Sequence, residues 1–246
     1  MTKIKEHGMK MLFMVAASIS ILAVAVICVF IFGNGVPAIR EIGFVDFIFG
    51  KQWSPNQNIY GIFPMIVGSI YVTAGAIIIG VPIGILTAVF LARFCPARLY
   101  RVLKPGIELL AGIPSIVYGF FGLMVIVPIM QNTFGGSGKG LLTASILLGI
   151  MILPTIITVS ETNITAVPES YYEGALALGD TKEGAVFRAV IPAAKSGILA
   201  GVILGIGRAI GETMAVIMIA GNQPVMPEDI TSGVRTMTSN IVLEMG

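Results

Sequence analysis

Apolar residues along this chain gather into five long runs, at about residues 11–32, 63–92, 106–130, 141–160 and 196–221. An α-helix rising ~1.5 Å per residue needs about 20 apolar residues to cross a bilayer core of ~30 Å. The pattern therefore predicts an all-α polytopic membrane protein with about five spans. Lys3, Lys5 and Lys10 precede the first run, which is longer than the 7–15 residues of a typical signal-peptide core, so it reads as an uncleaved anchor. Gly and Pro punctuate the other four, as membrane helices tolerate when neighbours re-satisfy the freed backbone. Pro82, between Gly80 and Gly84, marks an expected bend in the second.

Polar segments set the orientation. "RFCPARLYRVLK" carries Arg93, Arg98, Arg101 and Lys104 without an acid, and with the Lys-bearing tail (1–10) it belongs in the cytoplasm. The segment 33–62 balances Arg40 and Lys51 against Glu41 and Asp46, and 131–140 holds only Lys139, so both are expected outside. Alternation then puts 161–195 inside and 222–246 outside, around a core of residues 63–221. Within the inner loop, Tyr171, Ala175 and Leu178 recur at helical spacing before Gly179, and a second helical run over 182–190 stops at Pro192. Two short helices with a Gly turn suit docking on another protein; a plain cytoplasmic linker is the other reading.

Composition narrows the function classes. Of 246 residues, 56% are hydrophobic and 11% charged, against about 25% charged in soluble domains, so little of the surface can face water. A net charge of +2 gives no sign of nucleic-acid binding. Cys28 in an apolar run and Cys95 in a basic segment build neither a disulfide framework nor a metal site, and no cofactor motif is present. His7 is the only histidine and the spans hold a single acid away from their ends, Glu212, which leaves an intramembrane enzyme without a nucleophile-base pair or a metal cluster. "TFGGSGKG" fails as a phosphate-binding loop because Thr133 and Gly140 stand where Gly and Ser or Thr are required.

"ILGIGRAIGETMAVIMIAG" places Arg208 and Glu212 in the middle of the fifth run. Each charge at bilayer depth costs roughly 2.5–3.5 kcal/mol even on insertion scales, so both need a use or a partner. On a continuous helix a spacing of four puts them on one face, near Gly201, Gly205 and Thr213. A wet cavity, a close helix approach, or an ion pair that fixes packing would each account for that face. Ser115, Tyr118 and Thr155 are further polar groups inside spans, beside Pro114 and Pro154; they are candidate pore-lining residues, or bond their own backbone.

The inner loop also carries a resemblance. Glu173, Gly174 and Ala175, then Gly179, then Ile191 and Pro192 are similar in identity and spacing to the EAA loop of ABC importer permeases, with Gly174 for the middle Ala, Ala189 for the usual Ile and Ile191 for Leu. "GKQWSPNQNIYGIFPMIVGSIYVT", "AGIPSIVYGFFGL" and "GRAIGETMAV" further resemble the C-type permease subunits of phosphate importers, and Trp53 to Pro55 favours that type over its A-type partner. Together these segments spread over most of the chain. The resemblance implies a type I ABC importer transmembrane domain in a bacterial or archaeal plasma membrane, N-terminus in the cytoplasm. It implies assembly among lipids with an A-type permease, two ATP-binding subunits and an external phosphate-binding protein, with the EAA loop as coupling helix and ATP hydrolysed by the partners. The family's usual six spans, against five here, lead us to expect a chain cut before a sixth.

On that resemblance Arg208, Glu212 and Thr213 become candidates for the substrate pathway. The arginine fork matches phosphate oxygens bidentately. Glu212 either neutralises Arg208 or accepts a hydrogen bond from the proton that hydrogenphosphate carries and sulfate lacks. An importer of another oxyanion, such as sulfate or molybdate, is the nearest alternative. A secondary transporter or channel would leave the helical inner loop without a role, and no internal repeat is evident.

Overall fold

The computed structural model describes residues 2–245 and divides into two compact units: Met1–Gly50 with Ser54–Gly61, and Lys51–Trp53 with Ile62–Gly246. In the first, helix α1 (Thr2–Ile42) is continuous through Pro37, with the apolar side chains of run 11–32 exposed. Gly43, at φ +95, turns the chain into α2 (Phe44–Phe49). Gly50 and Gly61 then meet so closely that a Cβ on Gly50 would lie 2.7 Å from the Gly61 Cα, a contact only glycine allows. The two-residue strands β1 (Trp53–Ser54) and β2 (Ile59–Tyr60) flank a 3-10 turn over Pro55–Gln57.

The second unit is organised around α7 (Leu141–Thr165), whose Leu147, Met151, Ile152, Ile156 and Ile164 are almost fully buried. On one side runs α3 (Phe63–Val89), extended by a wide turn, Phe90–Phe94; on another runs α11 (Lys195–Gly211). Both partners present small residues every fourth position: Gly80, Gly84 and Ala88 on α3, and Gly201, Gly205 and Ala209 on α11, all buried. Apolar burial gives membrane helices no net drive to associate, so close van der Waals approach must supply it, and small residues permit that approach. A Cβ on Gly80 would meet the Gly149 carbonyl and Ile152 at 2.8 Å, and one on Gly205 would meet Ile156 at 2.8 Å. Gly201 and Gly205 thus serve close helix packing against α7.

Two expected helices are broken. The run 106–130 is shared between α4 (Ala97–Gly112), which takes in most of the basic segment, and α5 (Ser115–Phe121), which passes through a wide turn into α6 (Val127–Phe134). The break is at Ile113, which precedes Pro114 and takes an extended conformation, as the proline ring demands. The run 196–221 likewise stops at Gly211; Glu212 is extended, and α12 (Met214–Ile219) begins afresh. α12 packs on α5, where a Cβ on Gly119 would come within 2.9 Å of the Ala215 Cα.

Residues 161–195 form the two helices their spacing predicts. α8 (Glu169–Ala177) ends in a glycine motif: Gly179 sits at φ +89, its N–H reaches the Leu176 carbonyl and the Asp180 N–H reaches Ala175. Thr181 then caps α9 (Lys182–Ala185) by accepting from the Gly184 N–H at 3.0 Å. The chain continues through a wide turn, Val186–Val190, into α10 (Ile191–Ala193). Pro192 does not stop this helix, because it lies in a first turn where its missing N–H costs nothing; a bend of 70° follows before α11.

Residues 222–236 fold back over the start of α7, where the Leu141 and Leu142 N–H groups, which no helix carbonyl can reach, bond the Ser232 and Ile230 carbonyls. α13 (Met237–Glu244) follows, opened by a capping box between Thr236 and Ser239. Among the described residues, four helices are long and apolar enough to cross a membrane, five if the bent pair counts as one.

Candidate functional site

Arg208 lies in the last turn of α11, half-buried, on the side that meets α7. Its Nη1 donates to the Thr155 hydroxyl at 3.3 Å. The ion pairs among the described residues are Arg93–Glu169, Lys104–Glu108, Lys104–Glu161, Arg188–Asp180 and Arg235–Glu244. Arg208 belongs to none of them, so an apolar helix carries a cation held only by a neutral hydroxyl.

Glu212 does not share a helix face with Arg208, contrary to the reading of one continuous helix. Its Oε1 accepts from the Ala215 N–H at 3.1 Å, capping the first turn of α12, and its backbone carbonyl accepts from the Thr238 hydroxyl at 3.0 Å. Thr213 donates to the Gly211 carbonyl at 3.3 Å. Both residues therefore hold the break together. A broken helix inside an apolar region leaves backbone groups free, and such groups are tolerated where protein or a watery cavity takes them up.

The other pore-lining candidates divide. Thr155, beside buried Pro154, touches Arg208 directly. Tyr118 is buried within α5; its hydroxyl donates to the Leu110 carbonyl at 2.9 Å, bridging the Ile113 break. Ser115 is the first residue of α5 and half-buried. Arg208 and Thr155 thus meet between α11 and α7, Tyr118 serves the first break, and Glu212 and Thr213 serve the second.

Of the residues that resemble an EAA loop, Glu173, Gly174 and Gly179 are exposed on or just after α8, Ala175 is half-covered, and Ile191 and Pro192 lie in α10. A solvent-facing helix ended by an exposed glycine turn is free to seat in a partner. No three His, Cys, Asp or Glu side chains gather among the described residues.

Sequence reasoning missed the polar supports where α3, α4, α7 and α8 meet. Glu161, near the end of α7 and only 5% exposed, accepts from the Tyr100 hydroxyl at 2.8 Å and from the Lys104 ammonium, tying α4 to α7. The hydrogen bond to Glu161, then burial and the nearby negative charges, hold the Tyr100 hydroxyl above its ordinary value of 10.0. Arg93, at the end of α3, binds Glu169 of α8. An acid closing an apolar run opposite a basic segment was the available signal for both.

Long apolar helices, two of them broken near a half-buried cation, fit a multi-pass membrane protein. Residues 80–243 match the family described as binding-protein-dependent transport system inner membrane component, and the chain belongs to that family. It is 38% identical over 242 residues to the probable ABC transporter permease protein YqgH of Bacillus subtilis, covering 96% of this chain and 78% of that one. It is 35% identical over 249 residues to the phosphate transport system permease protein PstC of Mesorhizobium japonicum, covering 93% and 76%. The fold matches the MetNI methionine ABC transporter in inward-facing conformations at a TM-score of 0.51 and 20% identity, covering 75% of this chain and 85% of that one. The protein is a type I ABC permease of the kind that includes PstC.

Proposed function

We propose that the chain is the C-type, pore-lining subunit of an ATP-driven importer of inorganic phosphate. It pairs with an A-type permease, two ATP-binding subunits and an external phosphate-binding protein, with its N-terminus and residues 161–195 in the cytoplasm. The observation that carries the substrate is Arg208: a half-buried guanidinium with no carboxylate partner among the described residues, aimed at Thr155, offers an anion a charge-assisted fork in a low-dielectric setting. The naming of related permeases, such as that of Mesorhizobium japonicum, for phosphate transport agrees. α8 receives the movement of the ATP-binding subunits, whose different affinity for the two permease conformations supplies the free energy of switching.

Glu212, whose Oε1 caps α12, favours a second reading, an importer of another oxyanion such as sulfate or molybdate. Uptake of radiolabelled phosphate and sulfate by the whole complex in proteoliposomes separates the two. In the phosphate reading Arg208→Ala lowers phosphate uptake by about 10- to 100-fold, the worth of a charge-assisted hydrogen bond, while the ATP-binding subunits still copurify. Uptake unchanged in Arg208→Ala removes the arginine from the pathway; wild-type uptake of sulfate in place of phosphate establishes the second reading.

A further inference from the structure

Of the basic residues near the inner end of α3, Arg98 and Arg101 are exposed, whereas the Arg93 side chain is only 12% exposed. Arg93 lies in the wide turn that ends α3 and makes three contacts in three directions. Nη1 pairs with Glu169, in the first turn of α8, at 2.9 Å. Nη2 donates to the Ile164 carbonyl of α7 at 3.4 Å. The guanidinium faces the Tyr172 ring, also on α8, 5.9 Å from its centroid. Its buried Nε has no partner among the described residues. A polar cleft of about 230 Å³ adjoins it, lined by Glu169, Tyr172, Lys182 and Glu183.

Such burial is costly for a residue that merely solubilises a loop, since an unsatisfied buried donor alone costs about 1–3 kcal/mol. A planar fork that grips an acid, a carbonyl and a ring at once fixes three elements relative to one another, which a lysine point charge cannot do. Beside the cleft, Tyr172 also packs against the apolar cluster that holds Ala88 and Val89 of α3, so Arg93 supplies the polar, directional part of the contact between these two helices.

We propose that Arg93 is a positioning residue that clamps the coupling helix α8 to the inner end of α3, so that displacement of α8 moves the span rather than flexing the loop. This rests on α8 being the element that docks on the ATP-binding subunits. The residue touches neither nucleotide nor transported anion; it acts through Glu169 and Tyr172.

Cys95, two residues beyond Arg93, is a natural reporter once Cys28→Ser removes the other thiol. Maleimide labelling of Cys95 is timed in the assembled complex with and without ATP and vanadate. Nucleotide trapping changes the labelling rate in the parent complex. In Arg93→Gln and in Glu169→Gln that change shrinks by about tenfold, as for loss of a typical coupling free energy, while the ATP-binding subunits still copurify. The double exchange Arg93→Glu with Glu169→Arg restores it, and Arg93→Lys restores it only in part. An equal response in parent and single variants, no recovery in the double exchange, a parent Cys95 that does not respond, or loss of the ATP-binding subunits in both single variants overturns the clamp. Should Arg93→Gln fail to assemble, Glu169→Gln, whose side chain is 58% exposed, decides alone. Phosphate uptake by the parent is measured in parallel: no uptake with an intact Cys95 response refutes the phosphate reading and leaves the clamp standing.

Discussion

Glu212 uses one carboxylate oxygen on the Ala215 N–H and its carbonyl on Thr238, so its negative charge sits where α12 begins and favours the unpaired N–H groups there. That assignment distinguishes two substitutions. Glu212→Gln keeps an acceptor oxygen at the same place and leaves thermal stability near that of the wild type. Glu212→Ala removes the cap, costs about 1 kcal/mol and lowers the melting temperature by about 2–4 °C. On the phosphate reading, neither alters the ratio of phosphate to sulfate uptake; a gain of sulfate uptake in Glu212→Gln would instead make the carboxylate a reader of the substrate proton. Arg208 differs in kind, because a cation held by one neutral hydroxyl keeps donors available for an anion.

Among the elements, α7 is held by the small residues that face it, and the effect of adding one methyl group separates packed glycines from open ones. Gly80→Ala drives a Cβ into the Gly149 carbonyl, which cannot move without its helix, and costs about 1–3 kcal/mol. Gly106→Ala, in the interior of α4 with nothing within 4 Å, gains roughly 0.5–1 kcal/mol by restricting the unfolded chain and favouring helix. Thermal unfolding of the two variants in detergent reads the opposite signs. Helix periodicity marks both glycines as interruptions and cannot tell which one faces a neighbour. The breaks divide in the same way. The one at Ile113 is legible from Pro114, whereas nothing in "GRAIGETMAV" forbids a helix through Glu212; contacts from α13 and α12 hold it open.

At the scale of the molecule, the ends of α3, α4 and α7 are joined by polar contacts, and one gives stability a defined pH dependence. The Tyr100 hydroxyl is held above 10.0 by donating to Glu161, so the neutral form is favoured in the folded state. The contribution is complete below the ordinary tyrosine value and is lost as pH rises through the higher folded one. Melting temperature therefore carries no Tyr100 dependence between pH 6 and pH 9 and gains an alkaline loss above about 10, which Tyr100→Phe abolishes. Residues in the sequence by themselves determined that this is a helical membrane protein, where its apolar runs lie, and that residues 161–195 hold two short helices with a turn at Gly179; its likeness to ABC permeases came from the resemblance of its motifs. The first three depend on local composition, on helical period and on glycine's tolerance of positive φ, all properties of short stretches. Only the tertiary structure decided that Glu212 caps a new helix instead of pairing with Arg208, that Thr155 meets that arginine, and that Glu161 and Arg93 tie neighbouring helix ends together. Each of these joins residues on different elements or replaces a local helix bond with a distant one, and the balance is struck by burial, which a linear pattern does not contain.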